Sequence, residues 1–147
     1  MIHSIIITNV EGYIVFAQYY TNISNTDKTE LNQKLFEITQ FDWQFPGEQL
    51  CVIYSYNCAF CQVNDARIFI VGTEDELIML HLLQSIQTVL SKVVFKQKIT
   101  VNAIVENYPK TCLALKEMLS AGNIHHINAG PIDNILKLKA PYHTEKS

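Results

Sequence analysis

Cysteine supplies the first spacing in this chain that could do chemistry. Cys58-Ala-Phe-Cys61 has the separation of a dithiol redox or metal-binding motif. A reactive pair of that kind sits at a helix N-terminus, whereas this one falls inside a run of strand character, where an odd spacing sends the two thiols to opposite faces. A zinc site needs further ligands, and the adjacent His125 and His126 lie far along the chain, so the expected role of the cysteines is that of small core residues. The five glycines, Gly12, Gly47, Gly72, Gly122 and Gly130, are isolated, which leaves no loop to cradle a phosphate. No serine occupies a nucleophile elbow. His3 and His81 fall on or beside apolar runs, and Asp27, Glu30, Asp65, Glu74, Asp75 and Glu76 stand where caps and turns account for them. The expectation is a protein without catalytic residues, metal or cofactor.

The elements that would carry these residues begin with "MIHSIIITNVEGYIVFAQYY". A leader needs a basic segment before its apolar run, and a membrane span needs roughly 20 apolar residues. The opening satisfies neither and is expected to be a hairpin of strands Ile2 to Thr8 and Tyr13 to Tyr20, turned at "NVEG". Ile2 and Ile6 should point one way and Ile5 and Ile7 the other, so the first strand should lie centrally, buried on both faces. Asp27 and Glu30 match a capping box ahead of a helix over Lys28 to Thr39. The connector "QFDWQFPGE" precedes three strands, "QLCVIYS", "CAFCQV" and "ARIFIVG", with turns expected at Tyr56-Asn57 and Asn64-Asp65.

A second capping box, Thr73 to Glu76, predicts a long helix from about Glu74 to Phe95. At 100° per residue its apolar positions, Ile78 through Val94, fill an arc of roughly 160°, too wide for a helix covered on one side only. A further helical stretch precedes Pro109. A third helix should run from Lys110 to Ala121 and stop at Gly122, and Pro131 should open a last one carrying Ile132, Ile135, Leu136 and Leu138. The order ββ-α-βββ-α-α, with hairpins inside each strand group, predicts an α+β fold: a five-stranded antiparallel sheet flanked by helices on both faces.

The 147 residues are expected to form one domain, 1-147, and 48% hydrophobic content is ample for its core. A net charge of -3 lacks the basic stripe of a nucleic-acid binder. Lys92, Lys96 and Lys98 read as a solvated face, and the four cysteines as reduced thiols of a cytosolic protein. More telling is a surplus of apolar residues outside the expected stripes. Phe36 lies off the first helix, Leu77, Leu80 and Phe95 off the second, and Phe41, Trp43 and Phe45 crowd the connector. Phe36, Trp43, Leu80 and Phe95 are therefore the candidate residues of a partner interface.

Taken in order along the chain, these residues resemble the small subunits of heterotetrameric vesicle adaptors and coats, the sigma and zeta chains of the AP and COPI complexes. "MIHSIIITNVEGYIVFAQYY" is similar to the family's Met-Ile start, apolar strand, Asn-x-x-Gly turn and aromatic-ended second strand. "LALKEMLSAGNI" is similar to its Asp-Glu-Met-x-x-x-Gly stretch. "RIFIVGTEDEL", "YPKTCLALKEM" and "LKLKAP" look most like the TSET-type small subunits.

The resemblance implies a longin-like fold and no catalysis. It also implies a grip on the N-terminal solenoid trunk of one large subunit, in a complex with a second large and a medium subunit. Such a complex is cytoplasmic, is recruited to membranes, and acts in vesicle traffic and endocytosis. Sigma chains that read acidic dileucine cargo carry a basic residue where this chain has Val15, and apolar ones where it has Gln87, Gln97 and Lys98. A competing reading is a longin or roadblock platform regulating a small GTPase or a SNARE. "APYHTEKS" supplies neither the heptad helix nor the anchor of a SNARE.

Overall fold

The computed structural model describes residues 1–120 and 122–124. Strands β1 (Ile2–Thr8), β2 (Ile14–Tyr19), β3 (Gln49–Ile53), β4 (Tyr56–Val63) and β5 (Ala66–Gly72) form one sheet in the order β2-β1-β5-β4-β3. Every neighbouring pair is antiparallel. β1 is internal, as its apolarity requires. Helix α1 (Asn25–Thr39) covers one face, and α2 (Glu76–Thr88, continued by the π-helical Val89–Val94), α3 (Val101–Glu106) and α4 (Tyr108–Met118) cover the other. The arrangement is the α+β sandwich that the element order predicts, and the longin-like fold that the resemblance implies.

Alternation along the strands sorts the side chains. Ala59, Cys61, Ala66, Ile68 and Ile70 enter the α2 side, while Cys58, Phe60, Phe69 and Val71 enter the α1 side. Cys58 and Cys61 thus occupy opposite faces. β1 departs from simple alternation: Ile5 and Ile7 face α2 and Ile6 faces α1, but Ile2 joins Ile5 and Ile7 rather than Ile6. The register against β5 slips between Ile2 and Ser4, and the irregularity turns Ile2 over.

Both helix starts differ from expectation. α1 begins at Ser24, whose Oγ accepts from Asp27 N at 3.1 Å, so Asp27 lies in the first turn and is not the cap. α2 is capped by Asp75, which accepts from Ile78 N at 3.0 Å. Thr73 is unavailable for that role because it ends the sheet: its N–H donates to Met1 O at 2.9 Å. The β3–β4 turn falls at Tyr54-Ser55 instead of Tyr56-Asn57. Tyr56 is held in the strand by its ring contact with His3 at 4.9 Å, and Asn57 by its Nδ2 bond to Glu74 O at 2.9 Å. These tertiary contacts outweigh the turn preference of Asn57.

α4 stops at Met118, not at Ala121, and the chain turns into a small hairpin of β6 (Leu119–Ser120) and β7 (Asn123–Ile124). Gly122 serves that hairpin and not a helix end. Its φ is +83°, its carbonyl accepts from Ile2 N at 2.7 Å, and a Cβ there would lie 2.4 Å from Ile2 O. Only glycine fits so close a backbone approach. His125, His126 and the helix expected at Pro131 lie outside the described residues.

The 19 residues of Glu76–Val94 are long and apolar enough to cross a membrane, with a mean hydropathy of 1.4. Here they do the work of a core helix. Met79, Leu82, Leu83, Ile86, Val89, Leu90, Val93 and Val94 are all buried in one core with the sheet, α3 and α4.

Candidate interaction surface

The surplus apolar residues fall into two exposed groups and a set that the fold absorbs. Around the β1–β2 turn, Phe36 lies across Gly12, so close that a Cβ on Gly12 would meet the ring at 2.6 Å. Gly12 has φ +91°, and the turn is tied by Asn9, whose Oδ1 accepts from Glu11 N and Tyr13 N, each at 3.0 Å. The ring of Phe36 remains 42% exposed in a shallow depression lined by Glu11, Tyr13, Asn32, Gln33 and Glu37. Tyr13 and Phe41 stand further out, at 71% and 75%.

Trp43 is only half exposed. Its ring meets Phe60 edge-on at 5.3 Å and Phe69 at 5.7 Å, and the Arg67 guanidinium lies 4.3 Å above it. Arg67 is itself steered by Gln62, which accepts from its Nε at 3.1 Å. Trp43 is thus a plug between the α1-side core and a cation. The short 3₁₀ turn Asp42–Gln44 that carries it is braced by Gln49, whose Nε2 donates to Asp42 O at 2.8 Å.

On α2 the expectation is corrected for Phe95, which is buried at 8% exposure within the large core. The reason is the winding. Phe95 N bonds to Leu90 O at 2.8 Å, five residues back, and so wide a turn advances less than the 100° assumed for an α-helix. The lag carries Phe95 onto the buried side before Lys96, at φ +56°, ends the helix. Leu80 is half-buried against the same core. The exposed apolar residues of α2 are Leu77, at 78%, and Ile78, which border a cleft with His81, Leu82 and Ile124.

Sequence reasoning singled out Leu77, Phe41 and Phe45 only as part of the surplus and overlooked Tyr13. Its place just after the turn, outside the alternation of β2, was the available signal.

Val15 is half-buried against the large core, and Gln87 donates through Nε2 to Glu48 Oε2 at 3.2 Å, with Gln84 reaching the other carboxylate oxygen at 3.4 Å. That corner is polar and acidic. Among the described residues no three His, Cys, Asp or Glu side chains gather as a metal site.

The family model of the clathrin adaptor complex small chain matches residues 1–140. The chain belongs to that family. Its members are non-catalytic small subunits of adaptor complexes in vesicle transport. The chain is 29% identical to the TSET complex member tstD of Dictyostelium discoideum over 144 residues, 95% of this chain and 94% of that one. In fold it is similar to a chain of the full-length AP-3 complex in a stretched open conformation, itself a homology model, with TM-score 0.68 and 16% identity, covering 98% of this chain and 96% of that one. A chain of the same complex in an intermediate open conformation matches at TM-score 0.54 and 18% identity, over 84% of this chain and 30% of that one.

Proposed function

We propose that this chain is the sigma-like small subunit of a heterotetrameric, TSET-like adaptor, built as one domain over 1-147. It grips the N-terminal solenoid trunk of a large subunit, alongside a second large and a medium subunit, and acts in membrane traffic that includes endocytosis. The family match over residues 1–140, joined by near-complete coverage of tstD, is the observation that carries this reading. Physical support comes from the apolar side chains that the described fold leaves uncovered, because obligate interfaces are rich in aromatic and aliphatic anchors. Phe36 leads this set. Leu80 and the outer edge of Trp43 add half-exposed surface, Phe95 stiffens the core beneath, and Tyr13, Phe41 and Leu77 join as fully presented candidates. Membrane contact is indirect, through the assembled complex, which suits a chain of net charge -3.

Co-expression with the cognate large-subunit trunk tests the reading. The trunk should raise soluble yield and co-purify, and Phe36→Asp or Leu77→Asp should abolish co-purification. The stability of the isolated chain should change by no more than about 0.5–1 kcal/mol, as expected for partly exposed sites. Retained binding in every exposed-residue variant would mean that the interface lies elsewhere. A soluble homodimer with no affinity for the trunk would favour the longin or roadblock platform instead.

A further inference from the structure

Four free thiols are present: Cys58 and Cys61 are buried, and Cys51 and Cys112 are half-buried. Cys51 and Cys58 are direct partners in the β3–β4 register. Both point to the α1 side, where Cys58 is a core residue and Cys51 packs at the margin. Directly opposed residues of an antiparallel pair hold their Cα atoms about 4.5–5.5 Å apart, inside the range of about 4.4–6.8 Å that a disulfide spans. Each thiol is the largest single influence on the protonation of the other. Cys61 leaves β4 on the opposite face and cannot take part.

We propose that Cys51 and Cys58 form a hydroperoxide-responsive thiol pair, in which Cys51 is oxidised first and Cys58 resolves it to an intrachain disulfide. The Cys51 thiolate attacks one peroxide oxygen, the O–O bond breaks, and the products are a Cys51 sulfenic acid and hydroxide. Cys58 sulfur then attacks the sulfenic sulfur, the S–O bond breaks, and the hydroxyl leaves as water with the Cys58 proton. Two thiols lose two electrons and the hydroperoxide gains them.

The surroundings favour this order. The neighbouring Cys58 thiol holds the Cys51 thiol below its ordinary value, against burial and the nearby Asp42 carboxylate. The neighbouring Cys51 thiol and deep burial push Cys58 well above the ordinary range, burial pushes Cys61 up to about 12 with Glu48 adding to it, and burial also raises Cys112. Cys51 is therefore the one thiol of the four whose environment favours the nucleophilic form, and it is partly open to solvent. β3 is an outer strand with a single neighbour, so the new bond would pin a sheet edge otherwise held by its ladder.

The test is graded hydrogen peroxide on the full chain, followed by thiol alkylation and peptide mass spectrometry. The expected result is loss of two of the four thiols, a single Cys51–Cys58 link, and full recovery with dithiothreitol. Cys58→Ser should accumulate a dimedone-trapped sulfenic acid at Cys51, and Cys51→Ser should keep its remaining thiols reduced at the same dose. If the serine variant does not fold, Cys58→Ala, which buries no new hydroxyl, should show the same trapping at a higher peroxide dose, because the neighbour that lowers Cys51 is gone. Oxidation of Cys112 before Cys51, a different or interchain link, or over-oxidation of Cys51 in the unsubstituted chain without a link would overturn the proposal.

Discussion

On the α2 side of the sheet a helical run of 19 residues, flanked by α3 and α4, buries a row of side chains from Met79 to Val94. On the α1 side a helix of 15 residues buries only Leu31, Leu35 and Thr39, and the cover is completed by Trp43 from the connector. The first face is broadly covered, with α3 against β2 and α4 between Phe16 of β2 and the end of α2. The second is a thin lid on Phe60, Phe69 and Val71. A thick layer cannot relax around a missing side chain, whereas a lid can settle. The difference also explains why the exposed aromatics Phe36 and Phe41 gather around α1: a helix with so few inward residues leaves apolar neighbours uncovered.

Paired substitutions put that contrast to the test. Leu83→Ala should cost about 4 kcal/mol and Leu31→Ala about 2–3 kcal/mol, both measured by chemical denaturation, because only the α1 lid can collapse on its cavity. Equal costs would show the two faces to be equally rigid. A smaller effect separates the two connector aromatics. Trp43→Ala, which uncovers Phe60 and Phe69 and frees Arg67, should cost about 2–3 kcal/mol, and Phe41→Ala should stay within about 0.5 kcal/mol. If Phe41 proved the costlier, the plug would have been misassigned.

The smallest effect is a pH dependence on the thin side. Burial lowers His3 below its ordinary value of 6.5, so the folded state prefers the neutral ring, which lies tilted against Tyr56. The unfolded chain then binds more protons, and the contribution is complete above the unfolded value and is lost as the pH falls through that value toward the folded one. Melting temperature should drop on acidification through the histidine range, and His3→Gln should remove a small part of that drop. Superimposable profiles for the two proteins would exclude His3 as a source.

Much of this molecule follows from local pattern. The apolar alternation of β1, β4 and β5 dictates a sheet buried on both faces, the odd spacing of Cys58 and Cys61 separates their thiols, and the wide apolar arc of α2 requires a doubly packed helix. These are properties of period, and period is written in residue order. What tertiary structure alone decided are choices between near-equal local options. Asp75 caps α2 because Thr73 is bonded to Met1, the β3–β4 turn moves to Tyr54-Ser55 because Tyr56 and Asn57 find partners in the body of the fold, and Gly122 leaves helix capping to approach Ile2. Phe95, placed outside the arc by an ideal helical count, is buried because the end of α2 widens into π winding. Caps and turns differ locally by about 1 kcal/mol or less, so one hydrogen bond or ring contact from a distant segment is enough to tip each of them.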